Sequence, residues 1–133
     1  PEKILIDENN RAFVSGSGSI YRRDFKEQSI IWMAPEILLS YKNNKENVHV
    51  TSESLVFSLG LIILFAINRE GFEGKEGKLN SDEIVLEEFL TDLESRDLVP
   101  DKEFMIILKK MLTYDGLSRI SMENLNYWMV KFC

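Results

Sequence analysis

The chain has 133 residues, 44% of them hydrophobic, with 22 acidic against 16 basic side chains and a net charge of −6. That length and apolar content fit one soluble globule with a sizeable core and exclude an intrinsically disordered chain. The acidic excess removes any electrostatic basis for nonspecific binding to nucleic acid or anionic lipid, and points instead to a protein partner, a basic peptide among the candidates.

The charge is uneven. Between Glu70 and Glu103 there are 12 acidic and 4 basic residues, which leaves the remainder slightly positive. A solvated helix face with acidic loops is the preferred reading over a binding surface for a basic peptide. A single cysteine, Cys133, excludes an internal disulfide and a cysteine metal cluster, and points to an intracellular compartment, the cytoplasm first. The lone His49 sits in the polar run "NNKENVHV", so no metal, no cofactor and no Cys/His nucleophile pair is expected. The longest apolar run, Leu55 to Ile67, falls short of the about 20 residues a membrane span needs and contains Ser58 and Gly60. It reads as a buried core helix. The chain opens on Pro1 and passes directly into "ILI", as a piece cut from a larger domain would.

In chain order, "KILI" and "AFVS" flank the Asn-rich "DENNR", the pattern of a small β-hairpin. Gly16 to Ile31 has no sustained period and reads as an irregular loop. A short helix begins near Pro35, where proline is tolerated in a first turn, and continues through "EILLSY". After a polar connection, Thr51 or Ser52 caps the long apolar helix, which runs to about Asn68, with Glu53 near its positive end. The segment "REGFEGKEGKLN" reads as a glycine-punctuated loop. Ser81 or Asp82 then caps a helix that buries Leu86, Phe89, Leu90 and Leu93 and turns its acids outward. Pro100 and Asp101 introduce "KEFMIILKKML", with Phe104, Ile107, Leu108 and Met111 as its buried stripe. "TYDGLSR" makes a turn, and Ser121 caps a last helix through Tyr127 and Trp128. The expected fold class is mainly α, a helical lobe with a small β-hairpin near the N-terminus.

Four segments in fixed order carry more than periodicity: "PEKILIDENNRAFVSGSG", "WMAPEIL", "TSESLVFSLGLIILFAI" and "MLTYDGLSRIS". Together they resemble the C-terminal lobe of a protein kinase, from just after the catalytic loop to the last helix, over residues 1–133. "WMAPE" is similar to the end of the activation segment, "SLVFSLG" to the long central helix, and "DGLSR" to D-P-x-x-R. The resemblance implies that Glu36 of the A-P-E motif pairs with Arg119; otherwise these are two exposed charges that never meet.

The same resemblance implies a degenerate site. Phosphoryl transfer needs Mg²⁺ held by carboxylate and amide oxygens, a residue orienting the hydroxyl, and a lysine on the phosphates. Gly16, Ser17 and Gly18 stand at the D-F-G position, Lys3 stands where the metal-binding asparagine belongs, and Leu55 replaces the aspartate that anchors the catalytic loop. The catalytic loop and the nucleotide-binding lobe would lie before Pro1. No catalytic, cofactor or metal residue is therefore expected. A phosphate cradle at "SGSGS" lacks the third glycine and following helix. Ser15, Ser17, Ser19, Tyr21 and Ser29 lie where kinases are often phosphorylated, beside Arg22 and Arg23.

The expected function is that of a pseudokinase fragment, an inactive protein-interaction or scaffold module, not an enzyme. One alternative is the kinase non-catalytic C-lobe domain, a family that holds a basic peptide on an acidic surface; here that surface would be Glu87, Glu88 and Asp92. An alternative of another class is a fragment of an active, divergent kinase that recruits Asp24 for its metal.

Overall fold

The computed structural model describes residues 4–6, 8, 12–14, 30–43 and 49–130. Lys3, Gly16, Ser17 and Gly18 lie outside the described residues, as do Ser15, Ser19, Tyr21, Arg22, Arg23, Asp24, Ser29 and Cys133. The chain is mainly α-helical, with six helices among the described residues. Two short strands precede them, β1 (Ile4–Ile6) and β2 (Ala12–Val14), antiparallel with Ile4 opposite Val14 and Ile6 opposite Ala12.

Helix α1 (Pro35–Asn43) starts on the proline, with Glu36 in its first turn and Lys42 in its last, both favourable to the helix dipole. Helix α2 (Ser52–Ile67) is nucleated by a capping box. The Thr51 hydroxyl accepts from the Ser54 amide at 3.1 Å, and the Ser54 hydroxyl accepts from the Thr51 amide at 2.9 Å. Serine thus does what glutamate usually does in this motif.

The glycine-punctuated stretch expected to be a loop contains a short helix, α3 (Arg69–Glu73). Its cap is Asn68, whose Oδ1 accepts from the Gly71 amide at 3.1 Å, so the residue that ends α2 also starts α3. Helix α4 (Glu83–Ser95) is capped by Asp82, not Ser81, and buries Leu86, Phe89, Leu90 and Leu93. It ends with Leu98 N–H on Leu93 O and Asp97 N–H on Glu94 O, both 3.1 Å, around a left-handed Asp97 at φ 52°. This is a Schellman end with aspartate at the position glycine normally takes.

Helix α5 (Lys102–Met111) is capped by Asp101, and α6 (Met122–Val130) by Ser121. The buried stripe of α5 needs one correction. Met105 is in the core with Ile107, Leu108 and Met111, while Phe104 is only half-buried. The choice between neighbours 100° apart depends on where α2 lies, which periodicity alone does not fix.

Helix α2 is the axis of the body, packing on α3, α5 and α6. One core cluster gathers Phe57, Leu61 and Leu64 with Phe72, Leu86, Phe89, Leu93 and Leu108; a second joins Val56 to Ile107, Met111 and Leu125. Gly60 sets the α2–α5 distance, since a Cβ there would lie 2.7 Å from Leu112 Cδ2. The helix is not buried all round: Leu55 and Leu59 are exposed along one side. Among the described residues, no helix is long and apolar enough to cross a membrane.

Candidate functional site

Arg119 follows a tight turn built by Asp115, whose Oδ1 accepts from the Leu117 amide at 3.0 Å and whose Oδ2 accepts from the Ser118 hydroxyl at 3.1 Å. The turn aims the arginine inward. Its Nη1 donates to Glu36 Oε1 and to Glu53 O, both at 2.7 Å, and Nη2 donates to Glu36 Oε2 at 3.0 Å and Tyr114 O at 3.1 Å. Its Nε donates to Thr113 O at 2.8 Å. A guanidinium has five N–H donors, and these contacts use all of them. The Phe57 ring lies 5.0 Å from its central carbon, within cation–π range.

The Arg119 side chain is 0% exposed and that of Glu36 is 37% exposed. The arginine has left water entirely, while the carboxylate stays half in contact with it. Lysine would not serve, because a point charge cannot satisfy a fork of acceptors spread over three elements. The structure thus brings together Glu36 of "WMAPE" and Arg119 of "DGLSR", 83 residues apart, and adds the main chain of Glu53 at the start of α2.

The turn before α1 is held from the other side. Trp32 stacks on Phe72, ring centroids 5.0 Å apart, and meets Phe65 edge-on at 5.8 Å. The Ser58 hydroxyl donates to Trp32 O at 2.6 Å. Buried Asn80 donates through Nδ2 to Ile30 O at 2.9 Å and Met33 O at 2.8 Å. The Tyr114 hydroxyl in turn donates to Leu79 O at 2.6 Å. Burial pushes the Tyr114 phenol above its ordinary range, and the nearby Asp82 and Glu83 carboxylates add to this. The phenol therefore remains a donor.

Leu55 is 42% exposed on the open side of α2, so no polar group there supports a neighbouring loop. Glu87, Glu88 and Asp92 are all exposed on α4, but they do not form one face. Glu88 and Asp92, one helical turn apart, line a cleft of about 430 Å³ with Glu70, Lys75 and Arg96. Glu87 lines a different cleft, of about 410 Å³, between α4 and α5 with Glu83, Lys109 and Tyr114. Asp92 is paired with Arg96 at 3.2 Å, and Glu94 is paired with Lys109. No cation pairs with Glu87 or Glu88 among the described residues. Nor, among those residues, do His, Cys, Asp and Glu side chains cluster in threes to hold a metal ion.

No family model, curated protein or solved structure matches the chain. The site is therefore read from its own geometry. Sequence reasoning identified the two partners of the ion pair but not Asn80, Ser58 or the Glu53 carbonyl. An asparagine between Leu79 and Ser81 is indistinguishable in sequence from a loop residue, and a main-chain acceptor leaves no mark on residue type.

Proposed function

We propose that this chain is a catalytically inactive, kinase-like C-terminal lobe, with a small N-terminal β-hairpin, that works as a protein-interaction or scaffold module. The observation that carries the reading is the two-pronged contact of Glu36 with Arg119. It joins the two segments that a kinase-like lobe fastens together, through a fully buried arginine. Gly16 and Lys3 stand where metal-binding side chains would be needed, and Leu55 stands where an anchoring aspartate would be. With these substitutions, Mg²⁺ loses its ligands and the phosphoryl group its positioning. What remains is a helical body with an acidic exterior, suited to binding protein.

A second reading, the kinase non-catalytic C-lobe domain holding a basic peptide, draws on the absence of cation partners for Glu87 and Glu88 among the described residues. Titration of an arginine-rich peptide separates the two. Salt-sensitive binding lost on Glu87→Lys or Glu88→Lys supports the peptide-holding domain, whereas binding unchanged by either reversal means a solvated face. The scaffold reading itself is tested by assaying phosphoryl transfer from ATP by the full-length native protein; transfer that depends on this lobe would overturn it.

A further inference from the structure

The turn before α1 is tied to the helical body through its own main chain, and two of the three ties run through one residue. Asn80 Nδ2 spends both protons on the carbonyls of Ile30 and Met33, 50 and 47 residues earlier in the chain. Ile30 O also closes the turn by accepting from the Met33 amide at 3.1 Å. Of the two intervening carbonyls, Trp32 O is taken by Ser58. Three carbonyls of one four-residue turn are thus met by side chains of α2 and of the segment before α4.

Asn80 is 1% exposed, and its Oδ1 has no hydrogen-bond partner among the described residues. The amide cannot be reversed, because that would set Oδ1 against two carbonyl oxygens. A buried acceptor without a partner is a cost that leucine, branched in the same way but bulkier, would avoid. The two donors are therefore what the position uses. The segment carrying Asn80 is itself fixed by the Tyr114 hydroxyl on Leu79 O and by the Ser81 hydroxyl on Gly77 O at 2.6 Å.

We infer that Asn80 is a latch that fixes the Ile30–Met33 turn, and with it Trp32 and the start of α1. The latch thereby sets where the chain enters α1. The latch holds through hydrogen bonds rather than packing, and this is what distinguishes it from the neighbouring core leucines.

The test is amide hydrogen exchange on the protein and on Asn80→Leu, Asn80→Asp and Ser58→Ala, with a Trp128→Phe background reporting Trp32 fluorescence. Asn80→Leu keeps the branching, adds bulk and removes both donors; Asn80→Asp keeps the size and turns carboxylate oxygens toward the carbonyls. The expected result is loss of Met33 amide protection by about tenfold or more in both Asn80 variants, with a shifted Trp32 emission, while the Leu112 amide at the end of α5 and the Leu125 amide on α6 keep theirs. Ser58→Ala should produce a smaller loss in the same place. Unchanged Met33 protection in Asn80→Leu would overturn the latch, as would an equal loss at Met33, Leu112 and Leu125. If Asn80→Asp does not fold, Asn80→Leu decides the matter alone.

Discussion

Replacing Arg119 with alanine removes the donors of three main-chain carbonyls, those of Glu53, Thr113 and Tyr114, together with both contacts to Glu36. The Thr113 and Tyr114 carbonyls are left without a partner at about 1–3 kcal/mol each, while Glu53 O keeps its place in the α2 ladder. The freed Glu36 carboxylate is over a third exposed and rehydrates, so its lost pairing adds little. The loss of stability is then about 3–5 kcal/mol, which falls in the range for breaking one side of a buried pair. For a chain of this size that lowers the melting temperature by roughly 10–20 °C. Glu36→Gln leaves the guanidinium buried with its three carbonyls but without a countercharge, and should cost a similar amount. Urea denaturation followed by far-ultraviolet circular dichroism of both single variants and the double variant gives the coupling directly. A coupling of about 2 kcal/mol is expected, because residues in one hydrogen-bonded network are not additive. Unchanged midpoints for both single variants, or strict additivity in the double, would refute the reasoning.

Gly60→Ala should destabilise by about 1–3 kcal/mol through overpacking against Leu112, and a denaturation midpoint equal to that of the parent would show that α2 and α5 can part freely. Asp97→Gly should stabilise by about 1 kcal/mol, since it removes an L-residue from the left-handed region at the end of α4; a lower midpoint would mean that the aspartate side chain serves another contact. Tyr114 is expected to stay protonated through the pH range near 10 where exposed tyrosines ionise. Because its folded value is raised, the hydrogen bond to Leu79 stabilises fully below the unfolded value and is lost only as pH rises through the folded one. Alkaline difference absorbance should therefore be nearly the same for the protein and Tyr114→Phe around pH 10, and one phenolate fewer in the variant would contradict this.

Most of the helical frame was legible in the sequence because its signals are local. Thr51, Asp101 and Ser121 each precede a helix they cap, and the spacing of Leu86, Phe89, Leu90 and Leu93 fixes the inward face of α4. Misreadings arose where tertiary context decides. A glycine-rich stretch was read as loop, yet Asn68 can end one helix and start another, and Phe72 is drawn into the core by Trp32. Phe104 outranks Met105 in hydrophobic bulk, but the direction of the packing surface favours methionine. Glu36 and Arg119 were recognisable from the motifs around them, whereas their three carbonyl companions were not. The acids of α4 illustrate the opposite limit. Residues 87, 88 and 92 look like one patch in the sequence, but a helix turns 100° per residue and delivers Glu87 to one cleft and Glu88 with Asp92 to another.

The proposed absence of catalysis rests on the resemblance that sets Gly16 and Lys3 at positions where a kinase carries metal-binding side chains. Isothermal titration of the full-length native protein with ATP, in the presence and absence of Mg²⁺, measures this without assuming a substrate. The proposal predicts no metal-dependent heat of binding, and none on Gly16→Asp, since by the same resemblance Lys3 takes the place of a second metal ligand. Tight, Mg²⁺-dependent binding that is abolished by substitutions in this lobe would contradict it.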